Sequence, residues 1–216
     1  MSAHSTPQAR ANFVSFEGID GSGKSTQLRL LADELRVRGR EVISTREPGG
    51  TPLGSRLRRL LLDTDAEVDP LAELLLYAAD RAQHVRTLIR PALAAGSVVL
   101  TDRYADATIA YQGAGRGFPP ELVAEVVQLA TGGLMPDLTL IFDLDITHAH
   151  ARRTRSRAPG DRLDNESAEF HQRVRDAYHL IARNEPARVR IVNAERSIKE
   201  THAEVMSIVL PSIGGD

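Results

Sequence analysis

An eight-residue run near the N-terminus constrains the fold of this chain more than any other feature of its sequence. Residues Gly18–Ser25 read GIDGSGKS, which matches the pattern G-x-x-x-x-G-K-[ST] without a gap. Residues 12–17 before it form a short apolar stretch rich in β-forming residues, and Leu28, Leu31 and Leu35 after it recur at helical spacing. The sequence therefore predicts a strand, a glycine-rich loop and a helix in that order, which is the context that such a loop requires.

The residue types in this loop favour the binding of a polyphosphate. Glycines allow backbone N–H groups to turn inward around phosphate oxygens, and the N-terminus of the following helix adds partial positive charge. Lys24 would reach the β- and γ-phosphates of a nucleotide, and the Ser25 hydroxyl would bind Mg²⁺. A glycine-rich turn that binds nothing is the alternative. The residues expected to contact the nucleotide are Gly18, Ile19, Asp20, Gly21, Ser22, Gly23, Lys24, Ser25 and Thr26.

The use of lysine supports the same interpretation. Of the 27 basic residues, 25 are Arg and only Lys24 and Lys199 are Lys. One of these two lies where a compact, flexible ammonium group suits phosphate binding.

The rest of the sequence alternates between strand and helix patterns. Runs such as SVVLT and LTLIFDL are apolar without alternation, which suits strands buried on both faces of a sheet. The predicted strands are 12–17, 40–45, 97–101, 138–144 and 188–193. After the first helix, further helices are predicted at 53–62, 71–95 with a break or kink at Pro91, 120–130, 148–155, 167–182 and 198–210. This alternation predicts an α/β fold, a five-stranded parallel sheet with helices on both faces.

Length and composition limit the class of protein. The 216 residues suffice for one domain, assigned to residues 12–216, after a flexible tail at 1–11. The formal net charge of -2 argues against a general nucleic-acid binder. The chain has no Cys and no apolar run of 18 residues, so disulfides, thiolate metal sites and membrane-spanning helices are not expected. Since no signal-peptide pattern is present, the cytoplasm is the expected compartment.

A second candidate site follows the strand predicted at 97–101. Asp102 and Arg103 come directly after it, where a carboxylate could hold Mg²⁺ through water and a guanidinium could bind a phosphate. A capping aspartate in an ion pair is the alternative. The loop at 18–25 favours the functional interpretation.

Two further segments are candidates for binding a second ligand. The loop TREPGGT at 45–51 leaves the end of the second predicted strand, and open parallel sheets bind ligands beyond such ends. Tyr77 and Arg81 lie on one predicted helix face, so a ring could stack on a nucleobase while a guanidinium binds its edge. Spacing alone favours a simpler interpretation, a half-buried tyrosine and a solvated arginine.

The segment 152–164 is rich in arginine. It contains Pro159-Gly160 and five arginines, namely Arg152, Arg153, Arg155, Arg157 and Arg162. Repulsion between like charges and the helix-breaking Pro-Gly pair predict a mobile lid that closes over ATP, with a solvated basic face as the alternative. The histidines show no metal-binding spacing.

In combination, these segments resemble the thymidylate kinases, which phosphorylate dTMP with ATP. The resemblance extends from about Phe13 to the last helix. It rests on FEGIDGSGKSTQ at 16–27, REPGGT at 46–51, YAADR at 77–81, DRY at 102–104, AYQG at 110–113, PDLT at 136–139 and Asp161-Arg162 in the lid. The loop at 18–25 occurs in many unrelated proteins, whereas REPGGT, DRY and AYQG together are more specific.

The resemblance implies a P-loop nucleoside-monophosphate kinase that converts dTMP to dTDP with ATP and Mg²⁺, in dTTP biosynthesis. Tyr77 would then lie under thymine and Arg81 would bind its edge. Arg103 would bind the acceptor phosphate, and Tyr111 would pack against C2′ and leave no space for a ribose hydroxyl. The implied substrate-binding residues are Glu47, Pro48, Tyr77, Arg81, Arg103, Thr108, Tyr111 and Gln112.

The resemblance also implies the catalytic groups and the assembly. The implied catalytic residues are Lys24, Arg103, Arg157, Arg155 and Asp20, and the implied metal ligands are Ser25, Asp102 and Asp20. The loop at 19–22 has no basic residue, so the chain is similar to the bacterial members whose lid supplies an arginine, here Arg157 first and Arg155 second. Asp164 departs from the D-R-x-E lid pattern of the family, which puts the lid contacts in question.

The resemblance further implies a homodimer, with the apolar helix face at 71–76 as a candidate interface. Two alternatives stay open for the activity. One is another small nucleoside-monophosphate or nucleoside kinase on the same fold, and the other is a P-loop regulatory ATPase.

Overall fold

The computed structural model describes residues 11–63, 67–156, 162–163 and 165–213. Five strands form one parallel sheet in the order β2-β3-β1-β4-β5. Their bounds are β1 Phe13–Glu17, β2 Val42–Arg46, β3 Val98–Asp102, β4 Leu138–Asp143 and β5 Val189–Asn193. The predicted five-stranded parallel α/β sheet is therefore confirmed.

Nine α-helices within the described ranges connect and flank these strands. Their bounds are α1 Lys24–Val37, α2 Pro52–Leu62, α3 Pro70–His84, α4 Arg90–Ala94, α5 Ala105–Thr108, α6 Pro120–Thr131, α7 Ile146–Ser156, α8 Ala168–Asn184 and α9 Ile198–Ile213. Two π-helical segments, Val85–Ile89 and Ile109–Gly115, join α3 to α4 and extend α5. None of the helices described is long and apolar enough to cross a membrane.

The three central strands, β1, β3 and β4, are buried on both faces of the sheet, as their apolar sequences predict. Val14 belongs to a core cluster with Leu31 and Leu35 of α1. Its neighbour in the strand, Phe13, belongs to a second cluster with Ile89. Because successive strand residues point to opposite faces, the two clusters lie on opposite sides of the sheet.

Most predicted bounds differ from the observed ones by one to three residues, and two of the differences have a clear physical reason. The second strand begins at Val42 rather than at residue 40, because the Arg40 N–H donates to Leu35 O (3.0 Å) and closes the end of α1. The long helix predicted at 71–95 changes from α to π geometry after His84, before Pro91. Pro91 lies in the first turn of α4, where its missing N–H costs little.

The segment Ala105–Gly115 is helical in the structure, and the sequence analysis predicted no element there. Its small residues and two glycines carry no helical period that could be detected. The segment packs against α6 and α8, and its helical form depends on these contacts rather than on a local pattern.

One residue of the predicted N-terminal tail, Ala11, lies within the described part of the chain. Ala11 is buried, and its N–H donates to Ser212 O (2.9 Å) at the end of α9. The tail residues before it, 1–10, lie outside the described residues.

The parallel sheet brings three candidate segments to one edge. Phe16 is paired in register with Asp102, and so is Arg46 on the other side. The loops that leave β1, β2 and β3 therefore begin side by side, as the rule for open parallel sheets requires.

Candidate functional site

The loop between β1 and α1 has the backbone of a phosphate-binding loop. Gly18, Gly21 and Gly23 all have positive φ, at 129°, 87° and 87°. A Cβ at Gly18 would meet Phe142 O at 2.6 Å, so glycine is required there both for its conformation and for space. Helix α1 begins at Lys24 without a side-chain cap, which leaves its first N–H groups available to an anion.

Asp20 holds two cations at the centre of the site. Its Oδ1 accepts from Lys24 Nζ at 2.8 Å, and its Oδ2 accepts from Arg103 Nη2 at 2.8 Å. Burial alone would raise the pKa of Asp20. The charges of Arg103 and Lys24 together have the larger effect, so the pKa lies well below its usual value. Lys24 itself is buried, so its ammonium group is held within the loop rather than extended into solvent.

Arg103 adopts an unusual backbone conformation that aims its side chain at this loop. Its φ is 73°, in the left-handed region that non-glycine residues rarely adopt. Nη1 donates to Gly18 O at 3.0 Å, and the guanidinium carbon lies 4.8 Å from the centre of the Tyr111 ring. Arg103 therefore joins β3, the loop and the segment that carries Tyr111.

A fully buried carboxylate supports the turn at Arg103. Glu17 Oε1 accepts from Tyr104 N–H at 2.7 Å and from Ser15 Oγ at 2.8 Å, and Oε2 accepts from Tyr178 Oη at 2.9 Å. Burial, together with the charge of Asp106, raises the pKa of Glu17 to about 7. Neither motif spacing nor charge pattern identified this role, because two of its three partners, Tyr104 and Tyr178, lie far from it in the sequence.

Ser25 and Asp102, two of the three residues predicted to bind a metal, are in direct contact. The Ser25 hydroxyl donates to Asp102 Oδ2, so the start of α1 contacts the end of β3. Within the described part of the chain, no group of three or more His, Cys, Asp or Glu side chains is placed to hold a metal ion. A two-oxygen site suits Mg²⁺, which usually keeps several waters and binds through one or two protein groups plus phosphates.

A cavity next to this centre collects the residues expected to bind the substrate. All eight of them line it, together with Asp20 and four residues that the sequence analysis did not predict. The lining residues are Asp20, Glu47, Pro48, Arg58, Leu62, Tyr77, Arg81, Arg103, Ala107, Thr108, Tyr111, Gln112 and Leu163. The cavity thus runs from a helix-lined pocket to the phosphate-binding loop.

Arg81 is fixed at the wall of this cavity by three hydrogen bonds. Nε donates to Glu47 Oε2 at 2.7 Å, Nη1 to Thr108 Oγ1 at 2.7 Å and Nη2 to Tyr104 O at 2.8 Å. The side chain is 2% exposed, so the alternative of a solvated arginine is wrong. Desolvation lowers the pKa of Arg81, but Glu47, with smaller contributions from Tyr104 and Glu17, raises it above its usual value, so the guanidinium stays charged.

His84 and Asp80 complete this arrangement, and neither was predicted from the sequence to belong to the site. His84 Nδ1 lies 2.8 Å from the second oxygen of Glu47, and Nε2 lies 2.8 Å from Thr45 Oγ1. Asp80 Oδ1 accepts from Gly49 N–H at 3.2 Å, and burial raises the pKa of Asp80 to about 6. The helical spacing of residues 77, 80, 81 and 84 was the available signal.

The arginines of the segment 152–164 do not share one environment. Arg152 Nη2 donates to Ala194 O at 2.9 Å, while Arg155 is exposed. Arg162 binds Glu73 and also donates from Nε to Leu61 O at 3.0 Å. Arg157, Asp161 and Asp164 lie outside the described residues.

A second cavity lies on the other side of the phosphate-binding loop. It is lined by Gly21, Ser22, Gly23, Thr26, Gln27, Arg152, Ala194, Arg196, Ser197, Ile198 and Thr201. The segment after β5 carries no motif, so no role was predicted for it. Residues of the loop therefore line both cavities, Asp20 the first and Gly21, Ser22 and Gly23 the second.

Comparisons with known proteins agree with this architecture. The family model described as thymidylate kinase matches residues 16–205. The chain is similar to the thymidylate kinase of Halothermothrix orenii, with 50% identity over 199 residues, 91% of this chain and 95% of that protein. It is 51% identical to the thymidylate kinase of Leifsonia xyli subsp. xyli over 193 residues, 89% of this chain and 91% of that protein.

A solved structure extends the likeness to the fold. The crystal structure of thymidylate kinase from Ehrlichia chaffeensis superposes with a TM-score of 0.75 at 37% identity, covering 91% of this chain and 97% of that chain. Sequence and fold agree, and the chain belongs to the thymidylate kinase family.

Proposed function

We propose that this chain transfers the γ-phosphoryl group of ATP to the 5′-phosphate of dTMP, which yields dTDP and ADP in dTTP biosynthesis. One observation carries the proposal. The cavity lined by Tyr77, Arg81, Tyr111 and Gln112 is also lined by Asp20 of the phosphate-binding loop and by Arg103, which donates to that loop. A nucleotide monophosphate with its base in the pocket would therefore direct its phosphate toward the donor phosphates.

The base end of the cavity offers complementary groups to thymine. Tyr77 supplies an aromatic face, and the N–H groups of Arg81 that are not used by Glu47, Thr108 and Tyr104 can donate to a carbonyl of the base. Gln112 supplies an amide at the same wall. Tyr111 fills the space expected beside C2′, which favours a deoxyribose.

The donor side uses the backbone of the loop and the second cavity. The N–H groups of residues 18–26 and Lys24 would bind the β- and γ-phosphates. The second cavity, between Arg152 and the segment after β5, would hold the adenine ring. The lid arginines, Arg157 first and Arg155 second, stay candidates for contacting the transferred group.

We assign Mg²⁺ to Ser25 and Asp102, which offer hard oxygen ligands. Asp20 fits this role less well, because both of its oxygens already bind Lys24 and Arg103. When bound, the ion would neutralise charge on the oxygens of the β- and γ-phosphates.

The chain's own residues then act by positioning and by charge. The acceptor phosphate is ionised at neutral pH, so the reaction needs no strong general base. Arg103 holds the acceptor phosphate in line, and Lys24 stabilises the charge that develops on the transferred group. The proposal keeps the cytoplasm as the compartment and a homodimer as the assembly, to be measured by light scattering.

An acceptor panel tests this proposal. Rates with ATP and Mg²⁺ are measured in a coupled assay for dTMP, dUMP, dCMP, AMP, GMP and no acceptor. We expect dTMP to be preferred, and we expect EDTA to abolish turnover until excess Mg²⁺ is added. Equal rates with AMP, GMP and dTMP would contradict the assignment, and hydrolysis without acceptor dependence would favour a regulatory ATPase.

A further inference from the structure

The cavity proposed to hold dTMP, lined by Tyr77, Arg81 and Gln112, is called the acceptor cavity below. A buried carboxylate lies behind the end of this cavity that would hold the base. Glu73 is fully buried, one helical turn before Tyr77 and two turns before Arg81 on the same face of α3. It does not line the cavity itself. Its position nevertheless places it against residues that do.

Both oxygens of Glu73 accept hydrogen bonds. Oε1 accepts from Gln112 Nε2 at 2.8 Å, Oε2 accepts from Arg116 Nη2 at 3.0 Å, and Arg162 Nη2 also donates to Oε2. Burial alone would raise the pKa of Glu73. The hydrogen bonds from Arg116, Gln112 and Arg162 have the larger effect, so the pKa lies below its usual value. Glu73 is therefore an anion that can only accept hydrogen bonds.

This chemistry determines which way the Gln112 amide faces. A carboxylate cannot donate, so the amide nitrogen must face Glu73 and the amide oxygen must lie on the opposite side. Gln112 is 2% exposed and lines the acceptor cavity, so its oxygen is the group left for a ligand there. If Glu73 could donate, the amide could rotate and present its nitrogen instead.

An acceptor oxygen at this wall distinguishes between pyrimidines. Thymine and uracil carry an N–H at ring position 3, whereas cytosine has a bare nitrogen there that accepts a hydrogen bond. The Gln112 oxygen therefore accepts a hydrogen bond from N3–H of thymine or uracil and repels the bare N3 of cytosine. A buried group left without its hydrogen-bond partner is costly, so the site should discriminate strongly against cytosine.

Glu73 also holds a second wall of the cavity. It binds Arg162, whose backbone N–H donates to Leu62 O at 3.3 Å. The next residue, Leu163, is buried and lines the cavity, as does Leu62. One carboxylate thus supports both the polar group and an apolar group that face the base.

We propose that Glu73 is a positioning residue that orients the Gln112 amide oxygen toward the acceptor base, so that the site selects bases with an N–H at position 3. This inference rests on the proposed function. Beyond that function, the selectivity for the base is assigned to Glu73, a residue outside the cavity and 39 positions from Gln112 in the sequence.

The test compares Glu73→Gln with the parent chain and with Glu166→Gln. Glu166 binds Arg116 Nη1 at 2.6 Å on the outer side of the same cluster and does not line the cavity, so it is a matched control. The readouts are kcat and KM for dTMP and dCMP, and the affinity for each nucleotide by calorimetry without ATP. Melting temperatures check that each variant is folded.

We expect Glu73→Gln to raise the KM and Kd for dTMP about tenfold and to lower the dTMP preference over dCMP about tenfold, with kcat changed less than about threefold. Glu166→Gln should keep the parent preference. An unchanged preference in folded Glu73→Gln would overturn the inference, whereas a parent chain that does not bind or phosphorylate dTMP would overturn the proposed function instead.

A swapped variant keeps the test decisive if Glu73→Gln does not fold. Glu73→Gln combined with Gln112→Glu retains one carboxylate and one amide in the cluster and always presents an oxygen to the cavity. We expect it to keep the preference for dTMP over dCMP. Loss of that preference in the folded double variant would overturn the inference.

Discussion

The Asp20 carboxylate and the Arg103 guanidinium lie 2.8 Å apart and join the phosphate-binding loop to the end of strand β3. The other oxygen of Asp20 binds Lys24. One carboxylate therefore positions both Lys24, proposed to bind the phosphates of ATP, and Arg103, proposed to bind the phosphate of dTMP. Because both cations are already held in place, little reorganisation is needed when phosphates bind between them. The proposed mechanism depends on this arrangement more than on any single distance to a substrate.

Replacing Arg103 with lysine should lower kcat/KM for dTMP about 100-fold. Lysine keeps a positive charge and has the same Cβ at this left-handed position. It has one nitrogen in place of the planar fork whose Nη1 and Nη2 bind Gly18 O and Asp20, and it cannot place a guanidinium over the Tyr111 ring. Initial rates over a range of dTMP concentrations measure the effect. A kcat/KM within about twofold of the parent value would show that the planar fork is not required.

Replacing Lys24 with alanine should lower kcat at least about 100-fold with the fold intact, since the charge on the transferred phosphoryl group loses its nearest protein cation. The other lysine provides the control, because Lys199 is exposed and Lys199→Ala should leave kcat unchanged. A coupled assay gives the rates, and circular dichroism monitors folding. Near-normal turnover of Lys24→Ala would rule out the mechanism.

Replacing Glu17 with glutamine should stabilise the chain above pH 7. The pKa of Glu17 is raised from 4.5 to about 7 on folding, so the folded state binds more protons than the unfolded state between those values. The free energy of unfolding therefore decreases through this group as the pH rises across that window. We expect the variant to gain roughly 1–3 kcal/mol at about pH 8 and little at about pH 5.

Urea unfolding at the two pH values measures this difference. Glutamine can still accept from the Tyr104 N–H, so the turn at Arg103 and the activity should persist. The exposed Glu41→Gln variant serves as the control and should show no pH-dependent gain. An equal effect of Glu17→Gln at both pH values would contradict the raised pKa.

Replacing Gly54 with alanine should destabilise the chain by about 1–3 kcal/mol. A Cβ at this position would collide with Asp80 Oδ1, the atom that accepts from the Gly49 N–H beside the acceptor cavity. Displacing Asp80 should also raise the KM for dTMP. At Gly113 the nearest atom to an added Cβ is 3.8 Å away, so Gly113→Ala should leave the unfolding midpoint unchanged or raise it slightly.

The elements and motifs that were predicted correctly all depend on local sequence. The glycine-rich loop, the apolar strands and most helix positions follow from residue type and from spacing within about ten residues. The segment Ala105–Gly115 was missed because its helical form depends on packing against α6 and α8. The early start predicted for β2 was wrong because the backbone of Arg40 closes helix α1 instead.

The sequence by itself determined the order of strands and helices, the phosphate-binding loop and the residues that could serve as cations. Only the tertiary structure decided which partner each charge has. Arg81 is buried against Glu47, which is 34 positions away, and Arg162 binds Glu73, which is 89 positions away. The physical reason is that backbone conformation follows from neighbours in the chain, whereas desolvation and ion pairing depend on distant segments that the sheet brings together.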